Sequence, residues 1–286
     1  MIAVLGLGLM GSGMARRLLG AGFPVAVYNR TRSKAEALAA DGARVADSPR
    51  DAASGADVAI SMLADDVASR STWLGDDGAL AALKPGAIVI ESGTVSPEWI
   101  AELSAAAAKQ NVDVLDAPVT GSKSHAAAGE LNFLVGGSNE TLEKARPVLA
   151  AMGKNVVHVG PSGSGATLKL INNFVCGVQA ASLAEAMVWI ERTGIDRDLA
   201  IQVLGNGAPG SPLFKTVSAR MAKHDYTPNF HLELMRKDLD YSINEAGRHG
   251  VELTSAQMAL AAFDRAIEEG HGHDDFASVV EPIRKG

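Results

Sequence analysis

Cysteine is nearly absent: Cys176 is the only one among 286 residues, so no disulfide can form within the chain. That excludes a disulfide-built secreted scaffold and suits a reducing compartment. Cys176 falls among apolar neighbours in a predicted helix, where a free thiol packs as a small hydrophobe. Positive charge is also short. Lysine and arginine number 26 against 33 aspartates and glutamates, a net charge of −7. With no basic run in the chain, this argues against sequence-independent nucleic-acid binding. No apolar run reaches the ~18 residues that a membrane span needs. Met1-Ile2-Ala3-Val4-Leu5 carries no basic leader ahead of the first glycine motif, so no export signal is expected. Internal repeats and low-complexity tracts are missing too. These absences lead us to expect a soluble, cytoplasmic protein that binds neither nucleic acid nor membrane. What is there, 47% hydrophobic and 21% charged residues, is enough to bury a real core in one or two domains.

Short apolar runs alternate with helical patterns over the first half of the chain. Strands are expected at 2–7, 25–29, 44–46, 57–62, 87–91, 113–117, 132–135 and 156–159. The first four are Val-, Ile- and Ala-rich, as strands covered on both faces should be. Helices are expected between them at 10–21, 32–40, 67–73, 97–109 and 140–151. Such alternation predicts an α/β domain with a doubly wound, mostly parallel sheet.

The pattern changes after Gly160-Pro161-Ser162-Gly163-Ser164-Gly165. From 166 to 192 there is no proline and only Gly177, which predicts a helix of roughly 40 Å. Later segments at 198–204, 214–222, 232–248 and 254–269 also carry helical patterns. We therefore place a boundary near 162, between an α/β domain at 1–162 and an all-α domain at 163–286, joined by the long helix. That helix is apolar around most of its circumference, from Leu168 and Ile171 to Met187 and Ile190. Burial on several sides follows, and in a small domain it points to a homodimer or homotetramer.

Gly6-Leu7-Gly8-Leu9-Met10-Gly11 follows the first strand and opens a helix, the context in which GxGxxG binds a dinucleotide in a Rossmann-type sheet. The first glycine makes the turn, the second admits the pyrophosphate, and the third lets helix and strand pack closely. The second strand ends in Tyr28-Asn29-Arg30-Thr31-Arg32, with no carboxylate to bond a ribose hydroxyl. Arg30 can pair with a 2′-phosphate instead, and Asn29 and Thr31 can add hydrogen bonds. NADP(H) is thus expected ahead of NAD(H). Met62 and Leu63, ending the fourth strand, are placed on the same cofactor.

Lys169 and Asn173 stand four residues apart on the long helix, so both side chains share one face. A lysine and an amide aimed together could bind and protonate a carbonyl oxygen. Asp116-Ala117-Pro118-Val119-Thr120-Gly121-Ser122 ends a strand in a small-residue turn that could cradle a carboxylate. Ser92-Gly93-Thr94 ends the preceding strand, at the carboxyl edge where open sheets bind ligands. Phe230 and Lys237-Asp238-Leu239 come from the helical region.

Through these segments the chain resembles the β-hydroxyacid dehydrogenase family, which includes 3-hydroxyisobutyrate dehydrogenases and the reductases of tartronate semialdehyde, glyoxylate and succinic semialdehyde. The likeness runs end to end through the motifs at 6–11, 116–122, 163–173 and 237–239. It implies Lys169 as the catalytic acid/base and Asn173 as its partner on the substrate. It implies Thr120, Gly121 and Ser122 around the substrate carboxylate, and Thr94 and Lys237 beside the nicotinamide. Asn29-Arg30-Thr31 and Gly121-Ser122-Lys123 are similar to the NADPH-using glyoxylate and succinic-semialdehyde branch, in which Phe230 and Asp238 also approach the substrate. Thr120 departs from the commoner serine; the hydroxyl survives with an extra methyl.

The implied reaction is NADPH-dependent reduction of a small aldehyde acid to its hydroxy acid. NADPH would deliver hydride to carbon. Lys169 would deliver the proton if burial and neighbouring cations lower its pKa towards neutrality, whereas a permanently charged arginine would not give up its proton readily. 3-Hydroxyisobutyrate and tartronate semialdehyde stay open as substrates. Imine reductases share the architecture but carry another acid at Lys169. The rival from another class is a silent NADP-binding interaction module. His271-Gly272-His273-Asp274-Asp275 has metal-like composition but no further ligand cluster, so it is taken as a solvated loop, and no metal is expected. Asp65-Asp66 is taken as a helix cap, and Met10 with Met14 as helix packing.

Overall fold

The computed structural model describes residues 1–286. The chain divides into two compact units, Met1–Lys169 and Leu170–Gly286. This division lies beyond the boundary expected near 162, because the first turns of the long helix pack with the sheet.

The first unit holds nine strands: β1 Ile2–Leu5, β2 Val25–Tyr28, β3 Arg44–Val45, β4 Val58–Ser61, β5 Ile88–Glu91, β6 Asp113–Asp116, β7 Val119–Thr120, β8 Leu131–Gly136 and β9 Gly153–Gly160. Its helices are α1 Gly11–Gly20, α2 Arg32–Glu36, α3 Pro49–Ala53, α4 Asp66–Leu74, α5 Pro97–Ala108, α6 Lys123–Ala128 and α7 Asn139–Met152. The sheet order is β3-β2-β1-β4-β5-β6-β8-β7, with β9 on β8. The first six of these are parallel, in the 3-2-1-4-5-6 order of dinucleotide-binding folds. β8 runs antiparallel to β6 and β7.

Side-chain alternation explains the two cores. Ile2 and Val4 of β1 and Ile88 and Ile90 of β5 face one side, against Met14 and Leu18 of α1 and Leu142 and Leu149 of α7. Ala3, Leu5 and Val89 face the other, against Trp73 of α4 and Trp99 and Leu103 of α5. Successive strand residues point to opposite faces, so a sheet covered twice needs both sets apolar, and Val/Ile/Ala runs supply them.

α8, Ser164–Thr193, opens in the first unit and continues into the second. The remaining helices are α9 Arg197–Asn206, α10 Pro212–Lys223, α11 Leu232–Arg248, α12 Thr254–Glu268 and α13 Glu281–Lys285. Their core joins Leu183 and Met187 of α8 to Val217 and Met221 of α10, Leu239 of α11 and Phe263 of α12. Gly177 lets α8 and α11 meet closely: a Cβ there would stand 2.9 Å from Leu239 Cδ2. By length and composition alone α8 could cross a membrane. The expectation that no stretch reaches this length is corrected; a buried core helix has the same composition, and 44% of its apolar stretch is buried. Burial of α8 is also less complete than expected, since Ile171, Val175 and Trp189 are 52%, 57% and 74% exposed.

Candidate active site

Because β1, β2, β4, β5 and β6 are adjacent and parallel, the turns that follow them share one carboxyl edge. The first is the glycine turn. Gly6 has φ +95°, and a Cβ there would meet Met62 O at 2.5 Å; a Cβ on Gly11 would meet Gly6 O at 2.0 Å. Both glycines are therefore demanded by packing inside the protein. Gly8 is not: a Cβ there would meet nothing within 4 Å. The open space above Gly8, at the mouth of a 10-residue helix, fits a pyrophosphate approaching the backbone. Leu7, expected at the cofactor, buries its side chain in the core and donates its N–H to Asn29 Oδ1 at 2.9 Å.

Asn29 is committed within the protein, since its Nδ2 also donates to Thr31 O at 3.0 Å. It ties the end of β2 to the glycine turn. Thr31 opens α2 without a side-chain capping bond. Arg32 pairs with Glu36 and Asp47. Arg30, by contrast, is exposed, and no side-chain bond within the chain engages it. Of the two arginines, Arg30 is the one available to an anion. Met62, Leu63 and Thr94 are half-buried at the ends of β4 and β5. Beside Thr94, Ser92 Oγ is buried with no hydrogen-bond partner.

The segment after β6 is organised by Asp116 and His125. Asp116, fully buried, accepts from Gly163 N at 2.8 Å and Ala166 N at 2.9 Å. Burial pushes its carboxyl up, and these backbone bonds pull against that. Gly165 has no room for a side chain, as a Cβ would meet Leu134 O at 2.3 Å and Asp116 O at 2.6 Å. Asp116 thus moors the start of α8 to the sheet, and with it the half-buried Lys169. The signal was available: the acid ends its strand, and the paired glycines announce a close backbone approach.

Thr120 accepts a long bond from Asn132 Nδ2 at 3.4 Å, and Gly121 has φ +129°. His125 Nδ1 accepts from Ser122 N at 3.1 Å and lies 2.8 Å from Ser122 Oγ. Of the groups expected around a carboxylate, Ser122 is therefore engaged with the His125 imidazole through both its N–H and its hydroxyl.

In the helical unit, Asn173 is buried at 4% exposure. Its Oδ1 accepts from Asn172 Nδ2 at 2.9 Å, and its Nδ2 donates to Asp238 Oδ2 at 2.6 Å. Asp238 is fully buried, so the structure places it behind Asn173. Lys237 Nζ lies 2.9 Å from Asp238 Oδ1, outside hydrogen-bonding geometry, and 4.8 Å from the Tyr241 ring centre. Phe230 packs edge-on against Phe276 at 5.9 Å. Asp275, taken from sequence as part of a solvated loop, is buried and accepts from Asn229 N and Phe230 N at 2.9 and 3.3 Å. It shapes the Phe230 turn, a long-range role that composition does not announce. His271 and His273 pair instead with Asp274 and Glu233, and no cluster of three such side chains is arranged for a metal. Asp65 caps α4 by accepting from Ala68 N.

Residues 1–160 match a family model described as the NAD binding domain of 6-phosphogluconate dehydrogenase. Residues 163–283 match one described as NAD-binding of NADP-dependent 3-hydroxyisobutyrate dehydrogenase. The chain belongs to the β-hydroxyacid dehydrogenase family. It is 37% identical to an NAD-dependent L-serine dehydrogenase of Pseudomonas aeruginosa, covering 99% of this chain and 97% of that protein. It is 32% identical to glyoxylate/succinic semialdehyde reductase 1 of Arabidopsis thaliana, over 99% and 98%. Its fold overlays a 3-hydroxyisobutyrate dehydrogenase of Salmonella typhimurium with TM-score 0.90 at 32% identity, over 98% and 99%. This β-hydroxyacid dehydrogenase is therefore an NAD(P)-dependent oxidoreductase, with the sheet unit as its nucleotide-binding fold.

Proposed function

We propose that the enzyme reduces a small aldehyde acid, glyoxylate or succinic semialdehyde first, with NADPH as donor and Lys169 as proton donor. The observation that carries this is the pairing of Lys169, half-buried on α8, with a rigid amide one helical turn on. Asn173 is gripped from both sides, by Asn172 and Asp238, so its orientation is set before any ligand arrives. A preset amide can orient a carbonyl oxygen toward a proton donor.

NADPH, when bound, supplies the hydride. Lys169 gives its proton to the developing alkoxide, and the same nitrogen takes it back in the oxidative direction. Thr120, Gly121 and Ser122 bind the substrate carboxylate, Phe230 approaches the substrate, and Asp238 acts through Asn173. Arg30 pairs with the 2′-phosphate, Asn29 and Thr31 shape that end of the site, and Gly8, Leu9 and Met10 present backbone to the pyrophosphate on the turn that Gly6, Leu7 and Gly11 hold in place. Met62, Leu63, Thr94 and Lys237 line the nicotinamide. The exposed apolar stripe of Ile171 and Val175 on α8 supports a homodimer or homotetramer, which light scattering checks directly.

A second reading is oxidation of a small 3-hydroxy acid, L-serine or 3-hydroxyisobutyrate, supported by the 37% identity to an NAD-dependent L-serine dehydrogenase. Initial rates separate the two. NADPH and NADH are run against glyoxylate, succinic semialdehyde, tartronate semialdehyde and methylmalonate semialdehyde, and NADP+ and NAD+ against L-serine and 3-hydroxyisobutyrate. NADPH preference with glyoxylate or succinic semialdehyde is expected. NAD+ preference with L-serine would overturn both the substrate and the Arg30 assignment while leaving Lys169 in place.

A further inference from the structure

Glu91, the last residue of β5, is fully buried, and no step above uses it. Ser69 Oγ donates to its Oε2 at 2.5 Å, and Trp73 Nε1 to the same oxygen at 3.1 Å. Gly93 N donates to its Oε1 at 3.0 Å. Trp99 Nε1 donates to Ser69 Oγ at 2.8 Å, which leaves the Ser69 hydroxyl proton for Glu91. Trp73 Nε1 also reaches Ser61 Oγ, at the end of β4, at 3.2 Å. Burial pushes the Glu91 carboxyl up, and these bonds, every one of them from a donor, pull against that. Its two oxygens have separate duties. Oε2 faces α4, while Oε1 holds the turn Ser92-Gly93-Thr94.

That turn has no slack. A Cβ on Gly93 would meet Leu63 O at 2.8 Å and Glu91 Oε1 at 3.0 Å, so Gly93 is wedged between the carboxylate and the backbone that follows β4. Burying an acid is expensive unless its oxygens are bonded, and an apolar side chain here would leave the Ser69, Trp73 and Gly93 donors unsatisfied. A carboxylate is retained to advantage where a backbone path must be held. We propose that Glu91 is a positioning residue for hydride transfer: it holds Gly93 against Leu63, so that Thr94 on one side and Met62-Leu63 on the other face the nicotinamide in fixed geometry. The proposal rests on the reading above that these residues line the nicotinamide.

Glu91→Gln is the informative change. Its carbonyl can still accept from Ser69 and Trp73, but its NH2 group then opposes Gly93 N–H, so the turn alone loses its tether. With NADPH and the best aldehyde acid, well below the unfolding midpoint, kcat is expected to fall about ten- to a hundredfold, the scale of a misplaced reacting group. Ser69→Ala breaks the helix side of the same network; it should lower the unfolding midpoint yet keep kcat within about twofold, since it makes no contact in the transition state. Unchanged kcat in Glu91→Gln, or an equal fall in Ser69→Ala, would overturn the proposal. Thr94→Val separates the layers. If it alters kcat or the KM for NADPH while Glu91→Gln does not, only the Glu91 role fails. If Thr94→Val alters neither, the nicotinamide reading of the turn falls and the proposal with it.

Discussion

The two units bury carboxylates to different ends. In the sheet unit, Glu91 and Asp116 are register partners at the ends of neighbouring strands, and each accepts from backbone N–H groups of a turn. In the helical unit, Asp238 stands within α11 and accepts from a side-chain amide. A carboxylate bonded to backbone fixes the path of the chain, whereas one bonded to an amide fixes a rotamer. Asp275 marks the limit of the contrast, because in the helical unit it does for the Phe230 turn what Asp116 does for α8. Where a turn must be held, an acid facing N–H groups is used in either unit.

The contrast breaks most visibly at Asp116. Asp116→Asn sets an NH2 group against Gly163 or Ala166 N–H, and leaving such a buried donor unsatisfied costs about 1–3 kcal/mol. Denaturant titration should show that loss. Asp238→Asn can still accept from Asn173, so its unfolding midpoint should move less, while kcat falls about tenfold through a loosened amide. Equal destabilisation by the two changes would erase the distinction between path and rotamer. Arginines sharpen it within the sheet unit. Arg30→Ala should raise the KM for NADPH about tenfold, the worth of one charge-assisted bond, and leave NADH unaffected. Arg32→Ala, removing an arginine already paired, should change neither. The smallest effect is with acid. The Arg284 guanidinium beside Glu191 holds its carboxyl below the usual carboxylate range. That stabilisation is present above the unfolded carboxyl value and lost as pH falls through the folded one. Glu191→Gln should therefore flatten part of the decline in midpoint between neutral pH and about pH 3, the window of depressed carboxyls.

Much of this architecture was legible in the residues. The Val/Ile/Ala runs and the glycine turn pointed to a doubly wound sheet, and the unbroken stretch around Gly177 to one long helix. The misses have different causes. β7, Val119–Thr120, is only two residues long and exists because β8 returns beside it, a pairing no local pattern carries. α3 was overlooked although Ser48-Pro49 has the cap and first-turn proline of a helix start, with Ser48 accepting from Asp51 N. The role of Asp275 could not be read locally, since the turn it holds lies 45 or more residues away along the chain. At the site, Arg30 and Arg32 look alike in sequence; only the structure shows that Arg32 is already spent on Glu36 and Asp47.

The central claim is that Lys169 supplies the proton while the sheet unit holds the nucleotide without its help. The most direct test measures turnover of glyoxylate and succinic semialdehyde by wild type and Lys169→Ala, with NADPH affinity determined in parallel by titration. The account predicts a fall in kcat of about 10²–10⁴, the usual worth of a positioned general acid, with NADPH affinity unchanged. Near-wild-type turnover in the variant, or loss of NADPH binding with it, would contradict the account.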